Sequence, residues 1–179
     1  MQRYRKLFEY CSGRKEGILK FADFLEKNTS WLTSPASTKY HLNEEHGLLR
    51  HSVGVAELAL KFRELIAPHI SEESCVVAGL FHDLGKIGTF EKDNYLKTEG
   101  SSIPYKSNKE LVYMGLAPRS LWLISQHITL TEEEAQAILY HDGQYIGANR
   151  EVAHRECLLT LLITFADTWH CAKEEEGRR

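Results

Sequence analysis

The sequence predicts an all-α fold in a single domain. Apolar residues recur three or four positions apart in one segment after another, and no segment sustains the two-residue alternation of a half-buried strand. Capping residues stand where several of these segments begin. The 179 residues are 42% hydrophobic and 26% charged, which is enough for one buried core. We expect the N-terminal helices of residues 1–34 to pack on the rest of the domain.

The first half of the chain predicts four helices and one long loop. Ser, Thr, Pro and Gly are frequent in residues 33–47, which predicts the loop. Pro68 ends the third helix, and Ser71 is a favourable N-cap for the fourth. The predicted helices cover residues 4–10, 15–28, 48–66 and 72–83.

The second half predicts three further helices after an irregular stretch. Residues 89–108 lack a helical period and predict a loop or a small hairpin. Pro118 suits a first helical turn, and Thr131 with Glu134 has the spacing of a capping box. We expect the tail, residues 173–179, to fray. The predicted helices cover residues 117–128, 131–143 and 154–173.

Charge and cysteine content narrow the classes of function. The net charge of −3 does not indicate a nucleic-acid-binding surface, although it is compatible with a local basic pocket. The N-terminal "MQRYRKLFEYCSGRKEG" lacks an apolar h-region, and no apolar run approaches the length of a membrane span. The four cysteines form no CxxC pair, so we expect reduced thiols in a cytoplasmic protein.

Four titratable residues interrupt otherwise apolar helical segments: His51, His82, Asp83 and Asp167. Asp167 is the most informative, because it follows the apolar run "LLITFA" directly. Alone, each residue can be a cap, an ion-pair partner or a satisfied core histidine. Together, two imidazoles and two carboxylates form a mixed nitrogen and oxygen ligand set that suits a divalent transition metal. One cation would offset the desolvation of all four groups.

The segments "HSVGV", "AGLFHDLGKIG" and "FADTWH" together resemble the H…HD…D signature of the HD-domain superfamily of metal-dependent phosphohydrolases. "SPASTKYHLNEEHG" and "LTEEEAQAILYHDGQY" extend the resemblance over roughly residues 35–172. They are similar to phage and bacterial HD proteins of unassigned substrate, and more distantly to HD modules of bacterial 3′–5′ exoribonucleases. The resemblance implies a five-helix bundle and one divalent ion (Mn, Fe, Co, Ni or Zn), with a second metal not expected. The implied ligands are His51, His82, Asp83 and Asp167.

The resemblance also implies hydrolysis of a phosphate ester or anhydride. Asp83 and Lys86 would be the catalytic residues, Asp83 orienting the attacking water and Lys86 binding and neutralising the substrate phosphate. The modest net charge favours a small phosphorylated substrate, a nucleotide, over nucleic acid, which stays possible. We expect no membrane partner, and the sequence leaves the oligomeric state open. Two alternatives remain: a non-catalytic module that binds a metal or phosphorylated ligand, and an HD-type di-iron oxygenase.

His141, in "YHDGQY", matches a position where several HD branches carry an additional metal ligand. Those branches have a further histidine near the segment written here as "YMGLAPRS", where Leu116 stands instead. We therefore expect His141 to contact substrate, with an exposed helix-terminal histidine as the alternative. His41 and His46 either rim the pocket or lie in solvent. The histidines expected to be structural or at the surface are His69, His127, His154 and His170.

Overall fold

The computed structural model describes residues 1–177. Its helices, within that range, are α1 (Gln2–Leu7), α2 (Lys15–Asn28), α3 (Gly47–Ile66), α4 (Glu72–Phe81), α5 (Leu116–Ser125), α6 (Glu132–Tyr140) and α7 (Leu158–Glu176). Two short strands, β1 (Tyr95–Lys97) and β2 (Tyr105–Ser107), pair antiparallel as a hairpin. The prediction of an all-α fold is confirmed. For residues 89–108, where the sequence predicts either a loop or a small hairpin, the structure has the hairpin.

Capping residues begin two of the helices that support the site. Thr131 caps α6: its hydroxyl accepts from the Glu134 N–H at 3.2 Å, and the Glu134 carboxylate accepts from the Thr131 N–H at 2.9 Å. The predicted capping box is therefore present. Ser71 caps α4 by accepting from the Ser74 N–H at 3.4 Å.

The last helix departs from its prediction at both ends. It begins at Leu158 rather than His154, because His154 has a left-handed backbone (φ 63°) and Cys157 is the extended N-cap. It also continues through Glu176, so the expected fraying is wrong as far as that residue. The remaining residues of the predicted tail, 178–179, lie outside the described part of the chain.

Helices α3 and α4 form the centre of the core. A Cβ at Gly79 would lie 2.7 Å from the Ala56 Cα, so this glycine permits their close crossing. Every α4 residue from Cys75 to Phe81 is buried, as in a helix covered on all sides. Helix α7 packs against α3, α4 and α6, and α6 also packs against α4 and α5. The C-terminal end of α4, which leads into His82 and Asp83, therefore lies among helices.

The N-terminal segment contributes to the same core. Tyr4, Leu7 and Phe8 are each at most 3% exposed and belong to the main hydrophobic cluster. The single-domain organisation, with a core over residues 35–172, stays a prediction. Among the described residues, none of the helices combines the length and apolar character that crossing a membrane requires.

Candidate metal centre

Three helices and one 3₁₀ turn bring the predicted ligands to one place. His51 lies in α3, His82 directly follows α4, and Asp83 begins the short 3₁₀ turn Leu84–Ile87. Asp167 projects from the middle of α7. The structure therefore places all four side chains together, although their roles as metal ligands stay a prediction.

The distances between the donor atoms fit a coordination shell. His51 Nε2 lies 3.1 Å from Asp167 Oδ1, 3.2 Å from His82 Nε2 and 3.3 Å from Asp83 Oδ2. His82 Nε2 lies 3.4 Å from Asp83 Oδ2 and 3.8 Å from Asp167 Oδ1. Metal bonds of about 2.0–2.2 Å to nitrogen and oxygen place neighbouring ligands roughly 3.0–3.6 Å apart. The residues present therefore fit a divalent metal ion.

Hydrogen bonding fixes the proton of His82 on the nitrogen that faces away from the cluster. His82 Nδ1 lies 2.8 Å from the Gly79 carbonyl, which can only accept, so Nδ1 carries the proton. In the neutral ring, the lone pair is then on Nε2 and points at the other ligands. A histidine held this way by a carbonyl is typical of metal sites.

The two aspartates are ions, Asp83 in a buried position and Asp167 in a partly buried one. Burial opposes the charge of Asp83, but Lys86, His82 and His141 outweigh it and hold the pKa of that carboxyl well below its usual range. Burial likewise opposes the charge of Asp167, and its hydrogen bond and attraction to His51 hold its pKa below the usual value. Both groups are therefore anionic and available to a cation at neutral pH.

Lys86 is a largely buried counter-ion rather than a solvated turn lysine. Its side chain is 14% exposed, and Nζ donates to Asp83 Oδ2 at 2.5 Å. Burial lowers the pKa of Lys86, but the attraction of Asp83 and of Tyr95 is larger and raises it. Tyr95, at the start of β1, was not anticipated beside the site. The predicted contact of Lys86 with a phosphate stays a prediction.

His141 lies inside the cluster. It is 2% exposed, so it is not an exposed helix-terminal histidine. Its Nδ1 lies 2.8 Å from the Ile138 carbonyl, which leaves Nε2 facing Asp83 Oδ1 at 3.7 Å. Burial lowers the pKa of His141, whereas the Asp83 hydrogen bond and charge raise it to about 9. Asp83 thus faces His51 and His82 with one oxygen and His141 with the other.

Two residues beside the centre, His170 and Cys171, were not assigned to it from the sequence, and His41, which was expected to rim the pocket or lie in solvent, lies next to them. His170, expected to be structural or at the surface, is 8% exposed, and its Nδ1 lies 3.2 Å from His51 Nδ1. Cys171 Sγ lies 3.5 Å from Asp167 Oδ1 and 3.4 Å from His41 Nε2. His170 and Cys171 stand three and four positions after Asp167, so helical spacing would have placed them on its face of α7.

The remaining histidines lie away from the cluster. His127 stacks on Phe21 with ring centroids 4.7 Å apart. His46 has a left-handed backbone at the start of α3, and its Nδ1 contacts the Leu32 carbonyl at 2.6 Å. His69 and His154 are exposed.

The fold and the cluster together define a helical protein with a buried histidine and carboxylate site of metal-binding type. The family model of the HD domain matches residues 48–170, and the chain belongs to this family of metal-dependent phosphohydrolases. No curated protein and no solved structure shows a significant match to the chain. The narrower resemblance to phage and bacterial HD proteins of unassigned substrate stays a prediction.

Proposed function

We propose that this protein is a metal-dependent phosphohydrolase that cleaves a phosphate ester or anhydride, with a nucleotide as substrate. The observation that supports this most strongly is the convergence of His51, His82, Asp83 and Asp167 within a buried helical core. We further propose one divalent transition metal ion at these residues. An ion bound there would lower the pKa of a water molecule towards about 7 and polarise a phosphoryl oxygen.

The side chains around the ligands supply the remaining chemistry. Asp83 is anionic, and its Oδ1 faces His141 rather than the His51 and His82 pair, so it can orient an attacking water. Lys86, held beside Asp83, stabilises negative charge on the phosphoryl oxygens in the transition state. His141 Nε2 contacts a substrate oxygen from the opposite side of Asp83.

A small substrate fits the charge of the molecule better than a polymer does. The net charge is −3, and Lys86, a cation beside the ligands, is paired with Asp83 rather than part of a basic surface. We propose that the protein acts in the cytoplasm on a phosphorylated small molecule without a membrane partner. Short oligonucleotides are included in the substrate screen, because nucleic acid is the alternative substrate.

One observation favours a second candidate function. Asp83 faces His51 and His82 through Oδ2 and His141 through Oδ1, which is also how a carboxylate bridges two ions. An HD-type di-iron oxygenase requires such a pair. Two irons per chain would support this candidate, whereas one ion with phosphate release would support the hydrolase.

A substrate screen tests the proposal. The protein, loaded in turn with Mn²⁺, Co²⁺, Ni²⁺ and Mg²⁺, is assayed against nucleotides, cyclic dinucleotides and short oligonucleotides for phosphate or nucleoside monophosphate. We expect metal-dependent turnover that Asp83→Ala abolishes. Asp23→Ala is the matched control, because Asp23 forms an exposed ion pair with Lys27 on α2. Metal binding without turnover of any compound would contradict the hydrolase and support a binding module.

A further inference from the structure

His51 is held differently from the other two histidines of the cluster. His82 and His141 each follow a helix and donate to a carbonyl of its last turn, where carbonyls lack partners within the helix. His51 lies inside the 20-residue helix α3, whose carbonyls there accept helical hydrogen bonds. Its Nδ1 instead meets Nδ1 of His170, 3.2 Å away. A side chain of α7 thus takes the role that backbone carbonyls have for His82 and His141.

The direction of this hydrogen bond decides whether His51 can bind a metal. At 3.2 Å, one Nδ1 carries the proton and the other accepts it. If His51 uses Nε2 as a metal ligand and is neutral, its proton is on Nδ1. His170 must then accept through an unprotonated Nδ1 and carry its own proton on Nε2. The reverse arrangement would put a proton on His51 Nε2, where the metal has to bind.

The surroundings of His170 favour the arrangement that permits metal binding. Its Nε2 faces Glu174 Oε1 at 3.9 Å. It also borders a cleft of about 290 Å³ that both residues line between α3 and α7. A proton on Nε2 is therefore favoured by a nearby carboxylate and lies beside an open cleft.

Gly54 makes the space that His170 occupies. It stands three positions after His51, on the same face of α3. A Cβ at Gly54 would lie 2.0 Å from His170 Nε2 and 2.2 Å from its Cδ2, well inside contact distance. Any other residue at position 54 would displace the imidazole, and with it the acceptor for His51 Nδ1.

We infer that His170 is a positioning residue that fixes the proton of His51 on Nδ1 and so directs the Nε2 lone pair into the metal centre. Glu174 supports the required form of His170, and Gly54 supplies the room. The inference rests on the proposed role of His51 as a ligand. The α7 segment "DTWHCAKE" then contributes twice to the site: Asp167 is a ligand, and His170 is the hydrogen-bond partner of the ligand His51.

Two variants of His170 with side chains of similar shape distinguish a positioning role from a packing role. His170→Asn keeps an acceptor, because the amide oxygen takes the place of Nδ1, whereas His170→Leu puts a methyl group there. The affinity for Co²⁺ is measured by competition with a chelator, and thermal unfolding of the metal-free proteins checks folding. We expect His170→Leu to bind Co²⁺ about 10- to 100-fold more weakly than the parent, as for lost partners of ligating histidines. His170→Asn should bind close to the parent.

The outcomes distinguish this inference from the proposed function. If the parent binds Co²⁺ and His170→Leu binds it equally well, the positioning role is wrong while the metal site stands. An equal loss in both variants would assign His170 to packing and also contradict the role. A parent that binds no Co²⁺ would overturn the proposed metal site and this inference with it. Imidazole ¹⁵N spectra of the Zn²⁺-loaded parent provide the second measurement: a protonated Nδ1 on His170 would contradict the inference.

Discussion

Two clusters of charged side chains are buried in this protein, and they differ in how their charges are balanced. In one, the Arg14 guanidinium joins Glu73 and Glu134. In the other, imidazole nitrogens and the oxygens of Asp83 and Asp167 face one another. Both clusters contain two carboxylates between helices, all of them buried except the partly buried Asp167. The first is complete with protein groups alone, whereas the second directs several lone pairs at one point.

The Arg14 cluster satisfies its carboxylates with N–H donors. Arg14 Nη1 and Nη2 donate to the two oxygens of Glu134 at 2.8 and 2.5 Å, and Nε donates to Glu73 Oε1 at 2.8 Å. The other Glu73 oxygen accepts from the N–H groups of Ser12 and Arg14 at 2.8 and 3.0 Å. This cluster therefore ties the segment before α2 to α4 and α6, and its role is structural.

The comparison shows what distinguishes a structural cluster from a binding site. Burial of carboxylates is common to both, so burial alone does not indicate chemistry. In the second cluster, the Nδ1 proton of His82 is committed to the Gly79 carbonyl, so Nε2 of the neutral ring directs a lone pair at the oxygens of Asp83 and Asp167. Acceptors that point at one another are stabilised by a cation between them, and this is the physical signature of a metal centre.

The largest expected difference between the clusters lies in metal binding. Asp167→Ala should leave no measurable binding of Co²⁺ and also make the histidine cluster less stable, because an anionic partner of His51 is removed. Asp167→Asn keeps the shape and should weaken Co²⁺ binding with less damage to the fold. Glu134→Gln, in the other cluster, should bind Co²⁺ as the parent does. Parent-like binding in Asp167→Ala would remove Asp167 from the ligand set.

His141 sharpens the boundary of the metal centre. In His141→Ala, we expect turnover to fall by roughly 10²- to 10⁴-fold, as for a lost acid–base group, while metal content stays at the parent level. Kinetics and elemental analysis of the same preparation check both parts. Loss of metal would show that His141 is a ligand, and unchanged turnover would leave it a structural residue.

Breaking the Arg14 cluster should affect stability rather than metal binding. Arg14→Ala leaves two carboxylates without their cation, one of them fully buried, and should cost roughly 3 kcal/mol in the free energy of unfolding. Arg3→Ala, which breaks an exposed pair with Glu57, should cost less than about 1 kcal/mol. Denaturant unfolding compares the two. Equal costs would mean that the Arg14 cluster contributes no more than a surface pair.

A last expected difference is the pH at which each cluster loses stability in the metal-free protein. Burial lowers the pKa of His41 and of His170 to about 4, from about 6.5 in the unfolded chain. Between these two pKa values the unfolded chain binds more protons than the folded protein does. The free energy of unfolding should therefore decrease as the pH is lowered, by about 1.4 kcal/mol per pH unit for each group. Glu73 and Glu134 have lowered pKa values, so their contribution is present above about 4.5 and lost only below it.

Unfolding curves between pH 6.5 and pH 4.5 test this separation. His141, with its pKa raised to about 9, and His51, whose pKa is also raised, contribute stability that is complete below about 6.5, so their contribution is constant in this range. His170→Asn should show a shallower fall than the parent, since one of the two histidines is gone. A free energy of unfolding that stays constant or increases as the pH is lowered would contradict the lowered pKa values of His41 and His170.

Local sequence signals predicted the fold closely. Helix α2 has the bounds that its apolar spacing indicates, and Thr131 and Glu134 form the capping box that their separation indicates. Such features depend on residues within one turn of each other, which the sequence contains in full. The start of α7 was missed because the left-handed backbone of His154 depends on neighbours outside the helix.

The site was predictable where its residues contrast with their own segment. His51, His82, Asp83 and Asp167 stand in apolar helices, and the structure brings them together. His170 and Arg14 were not recognised, because their partners lie 119 and 120 positions away along the chain. The role of a histidine or an arginine in a core depends on which helix packs against it. A single sequence does not show which distant segments of the chain pack together.

Anomalous diffraction from Co²⁺-loaded crystals tests the central claim most directly. The account predicts one strong cobalt peak about 2.0–2.2 Å from His51 Nε2, His82 Nε2 and an oxygen each of Asp83 and Asp167. A peak absent from this position, or held instead by Cys171 and His41, would contradict the claim that these four residues form the metal centre.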